Sequence, residues 1–330
     1  MIEALNLVKW FGPILAVNDV TFTVERGEVL GFLGPNGAGK STTMRMITGF
    51  LPPSSGTVRI DGHDVVDDPI PARENVGYLP ENAPGYPEMT VTGFLNFVAE
   101  VHGLGGQDKR DAVGRVVEMC HLRPVLHQPI DTLSKGYRHR TCFAQSILPD
   151  PPILVLDEPT DGLDPNQKRE VRDLIREMGK EKAIILSTHI LEEVDAVCSR
   201  VIIIDNGQLV CNGTPDELRK RAPGAGSVTV GIYDHKAGEI KDVFSGLKGV
   251  KRVDVLGEHN GAVQVKVYPV RQDGNPLELG PVLANVMKER GMVFGEFHTE
   301  KGRLEEVFYD VTRAEQEVAS DTEKVSNNVG

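Results

Sequence analysis

The chain has 330 residues, which at about 150 residues per domain predicts two domains. Its 40% apolar and 25% charged content excludes wholesale disorder. With 48 acidic against 36 basic residues, the net charge of −12 excludes general electrostatic capture of a nucleic-acid backbone or an anionic membrane.

In chain order, residues 1–221 read as one α/β domain, in which short β-branched runs alternate with helical patterns. Val29–Leu33, Ile153–Leu156, Ile184–Leu186 and Val201–Ile204 are the candidate buried strands. Such runs fall far short of the roughly 18 apolar residues needed to cross a bilayer, so a membrane role calls for a partner. Asn206-Gly207, ahead of Gln208–Val210, predicts a hairpin. Between about 82 and 149 the strand signal fades. Val91, Phe94, Leu95 and Val98, then Val113, Val116, Val117 and Cys120, fall at helical spacing, predicting a helical insertion. Thr214-Pro-Asp-Glu217 predicts a helix start with a capping box. Residues 222–227 read as a linker.

Residues 228–312 follow the order βαββαβ, predicting a small α+β, ferredoxin-like domain. A closing helix carries Leu304, Val307, Phe308 and Val311, and residues 313–330 read as a disordered tail. Cys120, Cys142, Cys198 and Cys211 form no CxxC pair and read as reduced thiols. The first ten residues lack the blocks of a signal peptide.

The chemistry concentrates in the first domain. Gly34-Pro-Asn-Gly-Ala-Gly-Lys40-Ser41 matches G-x-x-x-x-G-K-[ST] directly after an apolar strand. Glycine backbone N–H groups can face phosphates there, and a helix starting near Lys40 adds its positive end. Lys40 reaches the β- and γ-phosphates and Ser41 holds Mg²⁺. Gly34, Asn36, Gly37, Gly39 and Thr42 complete this cofactor set. The run Ile153-Leu-Val-Leu-Asp157-Glu158 supplies a second metal group, Asp157. Adjacent Glu158 is the candidate base that orients and polarises an attacking water.

Together with three further motifs, these residues make the chain resemble the ATP-binding cassette (ABC) ATPases. Leu133-Ser-Lys-Gly-Tyr137 resembles the family signature, Thr160-Asp161-Gly-Leu-Asp164 the D-loop and Ser187-Thr-His189 the histidine switch. The resemblance implies a head-to-tail dimer that sandwiches two MgATP, with a homodimer expected and pairing with a different ATPase chain left open. Lys40, Glu158 and His189 of one subunit would then face Ser134 and Gly136 of the other, with Asp164 counted among the cofactor residues. It also implies an aromatic stacked on adenine. Phe11, before Gly12, fits that place, with Trp10 as competitor.

Two positions depart from the family pattern. The strand after the phosphate-loop helix ends in Glu81 where Gln is usual, and Lys135 replaces the first signature glycine. Glu81 retains the oxygen chemistry to bind Mg²⁺. In both respects, and in its C-terminal domain, the chain resembles ATPase subunits of type-2 exporters. That implies a separate transmembrane permease and a cytoplasmic place on the inner face of the membrane. A soluble, non-transport ABC ATPase is the alternative. Against it stand the lack of sustained heptads between Thr42 and Leu133 and the single set of motifs. No nucleic-acid partner is expected, and no NKxD motif supports a GTPase.

Overall fold

The structure, a computed structural model, describes residues 1–81, 85–272 and 274–312. It divides into two compact units, 1–213 and 214–330. The boundary therefore precedes the helix Pro215–Arg221, which the sequence reading assigned to the first domain. The expected tail at 313–330 lies outside the described residues.

Six strands form the central sheet of the first unit. Their order is Gln208–Gly213, Arg200–Asp205, Val29–Leu33, Ala183–Thr188, Ile153–Asp157 and Val76–Leu79. All neighbours are parallel except the Asn206-Gly207 hairpin at one edge. That turn has both central residues at positive φ, 46° and 77°, the geometry a two-residue hairpin of the right twist requires. Val29–Leu33 and Ile153–Asp157 are buried at every position, because both faces of a parallel sheet are covered.

One face packs on a second, antiparallel sheet built from Ile14–Val24, Ile2–Phe11, Ser55–Ile60 and His63–Asp64. The sequence reading assigned no strands to this N-terminal hairpin. The other face packs against the insertion, whose helices are Val91–Val101, Gly106–Met119 and Lys135–Ile147. The apolar positions picked out by helical spacing all enter this core.

In the second unit, strands Val250–His259, Ala262–Pro269, Val228–Tyr233 and Phe294–Thr299 lie in that order, all antiparallel. Helices Ala237–Ser245 and Gly280–Glu289 supply buried residues to the same core. This is the strand order of a ferredoxin-like sandwich, as its element sequence predicts. The capping box at Thr214 and Glu217 forms. The expected linker is instead packed. Ala222 and Ser227 are fully buried and Ala225 nearly so, and a Cβ on Gly302 would lie 2.1 Å from the carbonyl of Arg219.

Candidate functional site

The site forms where strands of the central sheet end. The parallel register sets Leu33 opposite Thr188 and Asp157 opposite Ser187, so the loop after Leu33 and the acidic pair at 157–158 leave the sheet at the same edge. Ligands of open α/β sheets gather at such strand ends.

The phosphate loop owes its path to two glycines. Gly39 adopts φ 104°, and a Cβ there would fall 2.6 Å from the carbonyl of Ala16. A Cβ on Gly34 would fall 2.4 Å from the carbonyl of Ile204. Gly39 caps the helix Lys40–Ile47 without a side chain, so the first helical N–H groups are left for an acceptor. Lys40 is buried, and its ammonium donates to the carbonyls of Gly34 (2.7 Å) and Pro35 (3.1 Å). Burial pushes its pKa down, against the opposing pull of Glu158, Asp157 and Glu81. A buried cation whose hydrogen bonds among the described residues go to neutral carbonyls is suited to exchange them for phosphate oxygens.

Ser41 and Asp157, both expected to hold Mg²⁺, lie together, with Ser41 Oγ 3.4 Å from Asp157 Oδ1. Ser187 also donates its hydroxyl to Asp157 Oδ1. These hard oxygens suit Mg²⁺. Among the described residues no cluster of three or more His, Cys, Asp or Glu could cage a metal. Glu81 follows the strand Val76–Leu79, and its charge is felt at Lys40. The loop expected after it begins with Asn82, Ala83 and Pro84, which lie outside the described residues.

Glu158 sits at φ 51°, a left-handed conformation uncommon away from glycine. Its backbone N–H donates to the carbonyl and hydroxyl oxygens of Ser187, which anchors the turn. Its side chain is 12% exposed. Burial raises its pKa, opposed first by the hydrogen bond from His189. His189 Nδ1 lies 3.0 Å from both carboxylate oxygens. The structure thus joins two predicted catalytic residues directly. A carboxylate with a raised pKa, held by an imidazole, is a competent proton acceptor.

The signature residues open the helix Lys135–Ile147, beside the D-loop. Ser134 caps the helix Lys135–Ile147 by accepting from the N–H of Tyr137. A Cβ on Gly136 would fall 2.5 Å from Gln167 Oε1. Lys135 pairs with Asp161 of the D-loop at 2.8 Å. Asp164 accepts from the N–H groups of Asn166 and Gln167, capping the helix Pro165–Met178. Phe11 and Trp10 are almost equally exposed, at 46% and 48%, so exposure does not choose between them.

Two residues escaped the sequence reading. Glu193, 1% exposed, accepts hydrogen bonds from Thr160 and Thr188 and so ties the D-loop to the strand ahead of His189. Its signal, two glutamates opening a helix, is indistinguishable from an ordinary solvated first turn. His139 is buried against the turn at Glu158. A lone histidine inside a helix carries no positional signal.

A family model described as ABC transporter matches residues 17–161. The probable multidrug ABC transporter ATP-binding protein YbhF of Escherichia coli is 38% identical over 223 residues. The alignment takes in 67% of this chain but 38% of YbhF, so the chain spans well under half that relative's length. The Nod factor export ATP-binding protein I of Burkholderia lata is 33% identical over 258 residues, covering 78% of this chain and 84% of that protein. A solved ATP-binding subunit of an ABC transporter superposes with a TM-score of 0.63 at 32% identity, covering 67% of this chain and 92% of that one.

Proposed function

The chain belongs to the ABC transporter family, and from that premise we propose that it is the ATP-hydrolysing subunit of an exporter. The observation that carries the reading is the contact of His189 with both oxygens of Glu158, beside the Asp157–Ser41 oxygens and the buried Lys40.

In this reading the first N–H groups of the helix Lys40–Ile47 and the ammonium of Lys40 receive the phosphates. Ser41 and Asp157, joined by Glu81, would hold Mg²⁺, which supplies neutralisation of phosphate charge when bound. Glu158 orients a water and takes its proton, and His189 holds the carboxylate in place. Phe11 stacks on adenine. Ser134 and Gly136 serve the nucleotide of a second copy of the chain, because Ser134 is exposed at a helix N-terminus that points its dipole outward.

A separate membrane-spanning permease would receive the stroke, placing the chain at the cytoplasmic face of the membrane. Support comes from the relative named for Nod factor export. It comes also from exposed Tyr86 and Phe97, an edge-on aromatic pair 5.4 Å apart at the helical insertion. Aromatic residues such as these are enriched in protein–protein interfaces.

The test is Glu158→Gln, which keeps size but not basicity. Turnover should fall by a factor on the order of 10²–10⁴, with ATP binding retained and a dimer trapped in light scattering. Near-normal hydrolysis would remove Glu158 from the mechanism. Copurification from membranes tests the permease separately.

A further inference from the structure

We propose that the C-terminal unit carries a binding site for a compact oxyanion, a phosphate or diphosphate group, apart from the nucleotide site. The site is a cavity of about 490 Å³ within that unit, lined by Lys251, Arg252, Lys266, Tyr268 and Arg271 with the segment 223–225 and Glu306. Its volume falls in the range of small-molecule pockets, about 300–1,000 Å³.

Strand alternation builds one wall. Val265 and Val267 turn into the core, which leaves Lys266 and Tyr268 on the opposite face of the same strand. Arg252 stands directly across from Tyr268 in the ladder, its guanidinium 4.2 Å from the ring centroid. An arginine laid on an aromatic face gives up little further freedom when it grips an anion.

The charges in this cavity do not balance. Arg252 has Asp254 at 3.0 Å, and Lys266 has only a long contact to Glu300 at 3.7 Å. Arg271 spends its donors on carbonyls, those of Lys220, Arg221 and Gly274 at 3.1 Å and that of Ala222. Carbonyls orient a guanidinium without cancelling its charge. Lys251 is exposed and has no ion pair among the described residues. Glu306, the cavity's one carboxylate, pairs with none of the four cations among those residues.

Two of these cations, Lys251 and Arg271, therefore converge without an ion-pair partner among the described residues, in a chain whose net charge is −12. Like charges brought together repel unless an anion joins them. Forked arginines beside lysines match phosphate oxygens, through charge-assisted hydrogen bonds. The same chemistry fits a free phosphorylated compound or a phospholipid headgroup.

Inorganic pyrophosphate titrated calorimetrically into the full chain tests the site, in a Lys40→Ala background that disables the phosphate loop. Adding Lys251→Gln and Lys266→Gln should weaken binding about tenfold or more, the scale for losing charge-assisted contacts. Adding Lys241→Gln and Lys288→Gln, exposed lysines of the same unit outside the cavity, should leave it unchanged. Lys251→Gln alone changes an exposed side chain and should weaken binding in a chain of unaltered melting temperature.

A second arm cosediments the same proteins with phosphatidylcholine vesicles, with and without phosphatidylglycerol. Cavity-dependent binding to the anionic vesicles, without binding of pyrophosphate, supports the site and identifies a lipid headgroup as its source. Equal behaviour of cavity and control variants in both arms overturns the proposal, as does absence of binding in both.

Discussion

The Nδ1 atom of His189 lies 3.0 Å from each carboxylate oxygen of Glu158. Burial pushes the pKa of Glu158 up, and this hydrogen bond is the largest influence pulling it back. Hydrolysis needs the carboxylate ionised, so the rate should fall as pH drops through its raised pKa. His189→Ala removes the downward pull, so the acid limb of the pH–rate profile should move to higher pH, in addition to any loss at the plateau. Rates measured across pH at saturating MgATP check this. An acid limb that stays in place means His189 does not act through Glu158.

Lys135 and Asp161 form the second informative pair, at 2.8 Å. Both are more than half exposed, so their ion pair is worth at most about 1 kcal/mol. The lysine that replaces a signature glycine is thereby engaged within its own unit, where it also lowers the pKa of Asp161. Lys135→Ala should shift stability by under about 1 kcal/mol, a difference that 1 M salt erases. Hydrolysis should stay within about threefold of wild type. A loss of 10²-fold or more, the scale of a missing charge-stabilising donor, would place Lys135 on the partner's nucleotide instead.

Glu193 shows why part of the site was illegible in the sequence. Motifs revealed the phosphate loop, Asp157, Glu158 and His189 because their chemistry demands fixed residue types at fixed spacing. The parallel sheet was legible because burial on both faces produces uninterrupted apolar runs such as Ile153–Leu156. The N-terminal hairpin was not, because exposed Trp10, Phe11 and Ile14 at its turn blur the alternation that marks a half-buried strand. The boundary at Gly213 was missed for a different reason. Composition at 222–227 imitates a linker, whereas Gly302 lets those residues pack closely. Glu193 and His139 depend on neighbours distant in sequence, which no local pattern encodes.

Glu193 is also a measurable anchor. Its buried carboxylate accepts from Thr160 and Thr188 and lies 3.8 Å from Lys168 and 3.7 Å from Arg172. Glu193→Ala leaves both cations and both hydroxyls without their acceptor. Removing one partner of a buried ion pair costs roughly 3–5 kcal/mol. Glu193→Gln keeps an acceptor oxygen and should cost less than half as much. Denaturant unfolding of the three proteins measures the difference, and an alanine variant within 1 kcal/mol of wild type (roughly the value of an exposed ion pair) would make the network incidental.

His139 links the signature helix to the catalytic turn, and its titration should be visible in stability. The ring is buried beside the backbone of Glu158, and neither nitrogen has a well-formed hydrogen bond. Burial lowers its pKa below the ordinary imidazole value, with Asp161 opposing the shift and Lys135 reinforcing it. The folded protein therefore holds this histidine neutral, while the unfolded chain takes a proton near pH 6.5. Because the unfolded state binds more protons, stability from this group is complete above about pH 6.5 and declines as pH falls towards the lowered folded value. His139→Gln keeps a polar side chain of similar reach but cannot titrate. Denaturant unfolding of wild type and variant between pH 8 and pH 5.5 should give curves that run parallel above neutrality, with wild type falling more steeply below it. Other titrating groups are common to both proteins, so parallel curves over the whole range would show that His139 protonates as readily in the folded protein as in the unfolded chain.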